Sequence, residues 1–108
     1  MDREIMKGSI DILLLVIISK KEMYGYELVS ELNRKGKSFN IKEGTLYPIL
    51  YRLEDDDLME THWEHCASHG RPRKYYSVSE KGKQVMAESY SQWKDITQDI
   101  MRIMEDLV

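Results

Sequence analysis

The sequence predicts an α+β fold, mostly α, and three observations carry that expectation. Two helical stretches at about residues 24–34 and 42–58, joined by a short connection, follow an apolar N-terminal helix. Residues 59–78 then read as two strands around a basic tip that contains Gly70 and Pro72. The remainder carries an apolar stripe in heptad steps, long enough for one extended helix. Helix, connection, helix and hairpin in that order describe a winged helix-turn-helix, here continued by a C-terminal dimerisation helix.

The first helix is expected over residues 1–20. Met6, Ile10, Leu13, Leu14, Ile17 and Ile18 fall at helical spacing, and Leu15 and Val16 make its end apolar all round. A strand is the competing reading for residues 12–18, but the upstream periodicity and the total length favour helix. A helix apolar on several sides needs more cover than one small domain supplies, which points to a partner subunit. Asp11 interrupts that surface and reads first as a solvated edge or a satisfied polar contact.

Residues 20–22 form a polar connection. The second helix turns Leu28, Val29 and Leu32 inward, and Gly36 suits its C-terminal cap. Phe39, Asn40 and Ile41 alternate briefly, as in a short strand. In the third helix, Leu46, Ile49, Leu50 and Leu53 make the apolar face. The opposite face offers Gly44, Tyr47, Pro48, Tyr51 and Arg52, with Thr45 at the edge. Two phenols, a hydroxyl, a guanidinium and little bulk at Gly44 suit a helix laid in a DNA groove; the plain alternative is an amphipathic helix with a wet outer face. Pro48 removes one amide donor, but its carbonyl partner belongs to Gly44, where the backbone can tilt, so the helix continues with a slight bend.

In the hairpin, Met59, Thr61 and Trp63 alternate with Glu60, His62 and Glu64, and residues 75–78 return. Arg71, Arg73 and Lys74 at the tip would reach phosphates or the minor groove, as a wing does. His62, His65, Cys66 and His69 have zinc- or copper-type donors, but their spacing matches no finger and His62 and His65 fall on opposite strand faces. No metal and no cofactor is expected. Ser79 is the N-cap of the last helix. Met86, Tyr90, Trp93, Thr97, Ile100, Met104 and Leu107 alternate in steps of four and three, with Ile96 and Ile103 widening the seam. That stripe needs a second surface, and a twofold homodimer is the simplest one.

The chain has 108 residues, room for one small domain and an added element, and its 42% hydrophobic share is that of a globular protein. One cysteine excludes an internal disulfide framework and suits a reducing cytosol. No secretory signal or membrane-length apolar run is visible, so the expectation is a cytoplasmic protein without a membrane partner. Net charge is −3, yet its distribution favours a polyanion partner. Residues 34–52 hold five basic groups, Lys42 among them, against one acid; residues 69–83 hold five more against one; residues 84–108 hold two against five. No nucleophile with a base, phosphate loop or paired carboxylates in a cleft is evident, so an enzyme is not expected.

Gly44-Thr45-Leu46-Tyr47-Pro48, Arg52-Leu53-Glu54 with Leu58, and Gly70-Arg71-Pro72-Arg73-Lys74-Tyr75-Tyr76 together resemble the PadR family of bacterial transcriptional regulators. Tyr24-Gly25-Tyr26-Glu27-Leu28 and Ser79-Glu80-Lys81-Gly82 resemble its pattern too. The match covers most of the chain in order and corresponds to the short form, with a single C-terminal dimerisation helix. Two departures stand out: Lys42 occupies the position before the third helix where the family often has a capping Ser, and the run Asp55-Asp56-Asp57 is unusually acidic. The resemblance implies a DNA-binding domain at residues 1–78, its first helix also contacting the partner, and a dimerisation helix at 79–108. The expected function is a repressor that binds double-stranded DNA, a pseudo-palindromic operator, as a homodimer through Lys42, Gly44, Thr45, Tyr47, Pro48, Tyr51, Arg52, Arg71, Arg73 and Lys74. The alternative is a winged-helix protein-interaction module without sequence-specific DNA binding. Some multidrug-sensing relatives carry a Trp at the place of Trp93, where flat aromatic drugs stack. By that resemblance Trp93, Ser89, Ile96 and Thr97 would line a pocket for a small aromatic ligand, with Asp11 favouring cationic ones.

Overall fold

The computed structural model describes residues 3–65 and 70–108. In order it contains α1 (Arg3–Lys20), β1 (Met23–Tyr24), α2 (Gly25–Lys35), α3 (Glu43–Asp55), β2 (Met59–His65), β3 (Pro72–Val78) and α4 (Glu80–Met104), with a final 3₁₀ turn, Glu105–Leu107. The fold is mostly helical with a small antiparallel sheet of order β1-β3-β2, a winged helix-turn-helix followed by a long C-terminal helix. The molecule measures 57 × 27 × 21 Å, drawn out because the end of α4 leaves the globule.

Every apolar face inferred for α1–α3 turns inward. Leu14, Leu15 and Ile18 of α1, Leu28 and Leu32 of α2, and Leu46, Leu50 and Leu53 of α3 meet Met59 and Tyr76 in one core. Leu15, which made the end of α1 apolar all round, is itself buried, while Val16 stays half-exposed. Met6 lies among residues whose side chains are outside the description.

The connection after α2 differs from expectation. Residues 39–41 form no strand. The Asn33 amide donates to the Ile41 carbonyl at 2.7 Å and its side-chain oxygen accepts the Ile41 N–H at 2.8 Å, so a side chain supplies what a strand neighbour would. Asn40 takes a positive φ of 45°, which breaks any extended run. The third strand comes instead from Met23 and Tyr24, paired with Tyr76 and Tyr75 of β3. Two residues carry no alternation, so no periodic signal announces them. At the start of α2 the Glu27 carboxylate accepts the Tyr24 N–H at 3.2 Å.

The acidic end of α3 has a local reason. Leu58 N–H donates to the Leu53 carbonyl and Asp57 N–H to that of Glu54, with Asp57 at φ 62°. This is a Schellman ending with aspartate at the left-handed position, a residue that tolerates it better than most. Ser79 then locks the exit of α3 to the entry of α4. Its hydroxyl donates to the Asp57 carbonyl at 2.6 Å and accepts the Gly82 N–H at 2.9 Å, confirming it as N-cap. Gly82 sits so close that a Cβ there would lie 2.1 Å from the Leu58 carbonyl oxygen, so the first turn of α4 packs backbone to backbone on the turn that follows α3.

Candidate nucleic-acid interface

Pro48 lies inside α3 and the helix continues through it to Asp55. Lys42 is its N-cap residue, in extended conformation, with no side-chain cap bond. Lys42, Gly44, Thr45 and Pro48 are exposed at the start of the outer face, and a Cβ at Gly44 would meet nothing within 4 Å. Tyr51 follows on the same face and is 51% exposed.

Three residues of the expected contact set are engaged inside the domain. Tyr47 leans back on α2, where a Cβ at Gly25 would come within 2.7 Å of its ring, and burial raises its phenol above the ordinary value. Arg52 grips Asp11 of α1 with both carboxylate oxygens at 2.5–2.6 Å from one guanidinium nitrogen. Asp11 is thus the satisfied polar contact that the sequence reads first, and Arg52 is engaged within the domain while its side chain stays 40% exposed. Lys74 donates to Glu54 at 2.7 Å, and Glu54 also accepts from Thr61 at 2.8 Å. The Lys74 ammonium, with the Thr61 hydroxyl, holds the Glu54 carboxyl below its usual value. This triad bolts α3 to both strands of the hairpin. Lys74 also lies 5.4 Å from the Tyr51 ring centre, so the wing lysine braces the exposed phenol.

Between α3 and the hairpin runs a groove of about 250 Å³ lined by Tyr24, Tyr26, Tyr47, Tyr51, Trp63 and Arg73, among others. Tyr24, Tyr26 and Trp63 were not among the expected contacts. Trp63 belongs to the inward set of β2 by alternation, with Met59 and Thr61, yet it is 65% exposed, because this end of the hairpin extends past the core. Arg73 lies 4.3 Å over the Tyr24 ring, which fixes its guanidinium at the groove edge. Arg71 is exposed beside the tip. The family-like run at residues 24–28 was the signal for Tyr24 and Tyr26; nothing in the local pattern marked Trp63.

Cys66 and His69 lie outside the described residues. His62 and His65 are exposed on opposite faces of β2.

Along α4, Met86 is half-buried and packs against its own domain's core. Ser89 and Trp93 are half-exposed. Tyr90, Ile96, Ile100, Met101, Ile103, Met104 and Leu107 are open, with Ile100 43% and Leu107 81% exposed. The Thr97 hydroxyl donates to the carbonyls of Trp93 and Lys94, one turn back on its own helix.

The sequence matches the transcriptional regulator PadR-like family over residues 14–88. A PadR-like transcriptional regulator of Bacillus cereus is 33% identical and superposes with a TM-score of 0.82 over 94% of this chain and 96% of that one. A PadR family regulator of Eggerthella lenta is 32% identical, with a TM-score of 0.80 over 94% of this chain and 87% of its own. A transcriptional regulator of Mycobacterium tuberculosis is 28% identical across 92% of this chain and 89% of its own. The chain therefore belongs to the PadR-like family of transcriptional regulators, which are not enzymes.

Proposed function

We propose that this regulator is a repressor that binds a pseudo-palindromic operator as a homodimer, in the cytoplasm. The observation that carries the reading is the aromatic and basic groove between α3 and the hairpin, beside the exposed start of α3. Lys42, Gly44, Thr45, Pro48 and Tyr51 would meet the major groove, and Arg71 and Arg73 the flanking backbone or minor groove. Tyr47, Arg52 and Lys74 would hold that surface in shape from behind. The described residues contain no helix long and apolar enough to cross a membrane.

The test is a gel shift on the protein's own promoter region across a salt series. Tyr51→Ala should weaken specific binding by about 1–3 kcal/mol. Arg71→Ala with Arg73→Ala should lower affinity on all sequences and flatten the salt slope. Wild-type affinity in both variants would misplace the DNA face and favour the protein-interaction module.

The homodimer is supported by the open apolar stripe of α4, which its own domain leaves uncovered. A twofold axis along it would set two Trp93 rings near each other. A planar aromatic effector held there, lined by Ser89, Ile96 and Thr97, would release operator DNA by binding the two states unequally. Because Asp11 is paired with Arg52, cationic ligands gain no free carboxylate from it. In a Trp63→Phe background, quenching of Trp93 with loss of the shifted band is the expected result; unchanged fluorescence across a panel of planar aromatics would leave Trp93 as packing.

A further inference from the structure

The sheet has a second chemical face, turned away from α3. Alternation along β2 and β3 puts Thr61 and Tyr76 on the α3 side and His62, Glu64, Arg73 and Tyr75 on the other. Glu22, just before β1, reaches the same place. His62 Nε2 lies 3.2 Å from a Glu22 carboxylate oxygen and 3.1 Å from one of Glu64. The three donor atoms fall within 4.8 Å of one another.

We infer that Glu22, His62 and Glu64 form a binding site for one divalent transition-metal ion of the zinc class. A tetrahedral ion with bonds of about 2.1 Å sets its ligand atoms about 3.4 Å apart, close to the two distances from His62. One imidazole and two carboxylates are a donor set that such an ion accepts. Protons serve the arrangement less well. A single ring nitrogen carries at most one hydrogen, so two carboxylates must share it while repelling each other. A dication satisfies all three lone pairs at once.

The surroundings agree. The His62 ring is stacked on Tyr75, 5.7 Å between centres and 15° between planes, which holds the nitrogen in place. Among the described residues neither Glu22 nor Glu64 makes an ion pair with a lysine or arginine. Arg73 stands opposite Glu64 in the register but lies over Tyr24 instead. All three ligands are exposed, so water completes the coordination. The ion would join the two outer strands of the β1-β3-β2 sheet across Tyr75, tying the tip-side half of β2 to the segment just before β1. These are not the ligands that the sequence brings to mind. His62 is shared with the histidine–cysteine group, but its partners come from a segment forty residues earlier and from its own strand.

The inference is independent of the DNA-binding reading, and so is its test. The full chain carrying Cys66→Ser and His69→Ala, which removes two of the other donors of the histidine–cysteine group, is titrated with Zn²⁺ by calorimetry and with Co²⁺ by visible absorption. One equivalent is expected, with d–d bands for Co²⁺ and a Tm that rises with metal concentration. Glu22→Gln, Glu64→Gln and His62→Ala, each checked by circular dichroism and metal-free Tm, should weaken binding more than about a hundredfold, beyond a typical outer-shell loss. Absence of binding in the Cys66→Ser, His69→Ala chain, or binding that persists unchanged in Glu22→Gln, would overturn the assignment.

Discussion

Tyr76 shows how one side chain can set a chemical limit on the fold. It is 2% exposed at the centre of the sheet, where it meets the helical core. Burial pushes its phenol up to about 12, against about 10 in an unfolded chain. Because the folded value is the higher one, its contribution is complete below about pH 10 and is lost as pH rises toward 12. Thermal melts should therefore fall steeply in that window, by at most about 1.4 kcal/mol per pH unit from this group. Tyr76→Phe should flatten the decline, and an unchanged alkaline slope would place the sensitivity elsewhere. Tyr47, raised in the same direction by partial burial, adds to the trend.

At the scale of elements, charged pairs hold α3 to its neighbours on two sides. Arg52–Asp11 joins it to α1, and Glu54 joins it to Lys74 and Thr61 of the hairpin. Both arginine and lysine sit in runs that the sequence marks as basic and DNA-facing, and the fold turns both toward carboxylates. Arg52 is 40% and Asp11 27% exposed, so solvent moderates the pair, and its coupling should be about 1 kcal/mol. A double-mutant cycle with Asp11→Ala and Arg52→Ala, read by urea melts, should give non-additive losses of that size. Additive losses would mean that the two side chains act separately. Operator affinity should fall less for Arg52→Ala than for Tyr51→Ala, which keeps the structural role distinct from a base contact.

For the whole molecule, the deciding feature is the division of α4. Its first turn is fastened by Ser79 and Gly82, and Val85 and Met86 rest on the core; from Tyr90 onward the apolar stripe is open but for the half-exposed Trp93. A chain ending after Ser89 should keep the winged domain and sediment as a monomer, or precipitate if α1 also loses cover. The intact chain should sediment as a dimer at micromolar concentration, and a monomer there would remove the basis for two α3 helices reading half-sites about 34 Å apart.

Helical periodicity was enough to place α1–α3, their buried leucines and the heptad stripe of α4, because burial demands apolar residues at fixed angular spacing. The order of helices and hairpin, together with the motifs at residues 44–48 and 70–76, was enough for the family. Pairing across the chain was not legible. A strand of two residues at Met23–Tyr24 has no period to read, and an Asn33 side chain can stand in for the strand expected near Ile41. Nor does composition say which cation meets water and which meets a carboxylate: Arg52 finds Asp11 forty-one residues away, and Lys74 finds Glu54 twenty away. Glu22 meets His62 by the same route, through the β1-β3-β2 order. Apolar burial follows a local rhythm that sequence displays; the partner of a polar group depends on which distant segment the packed core brings alongside it.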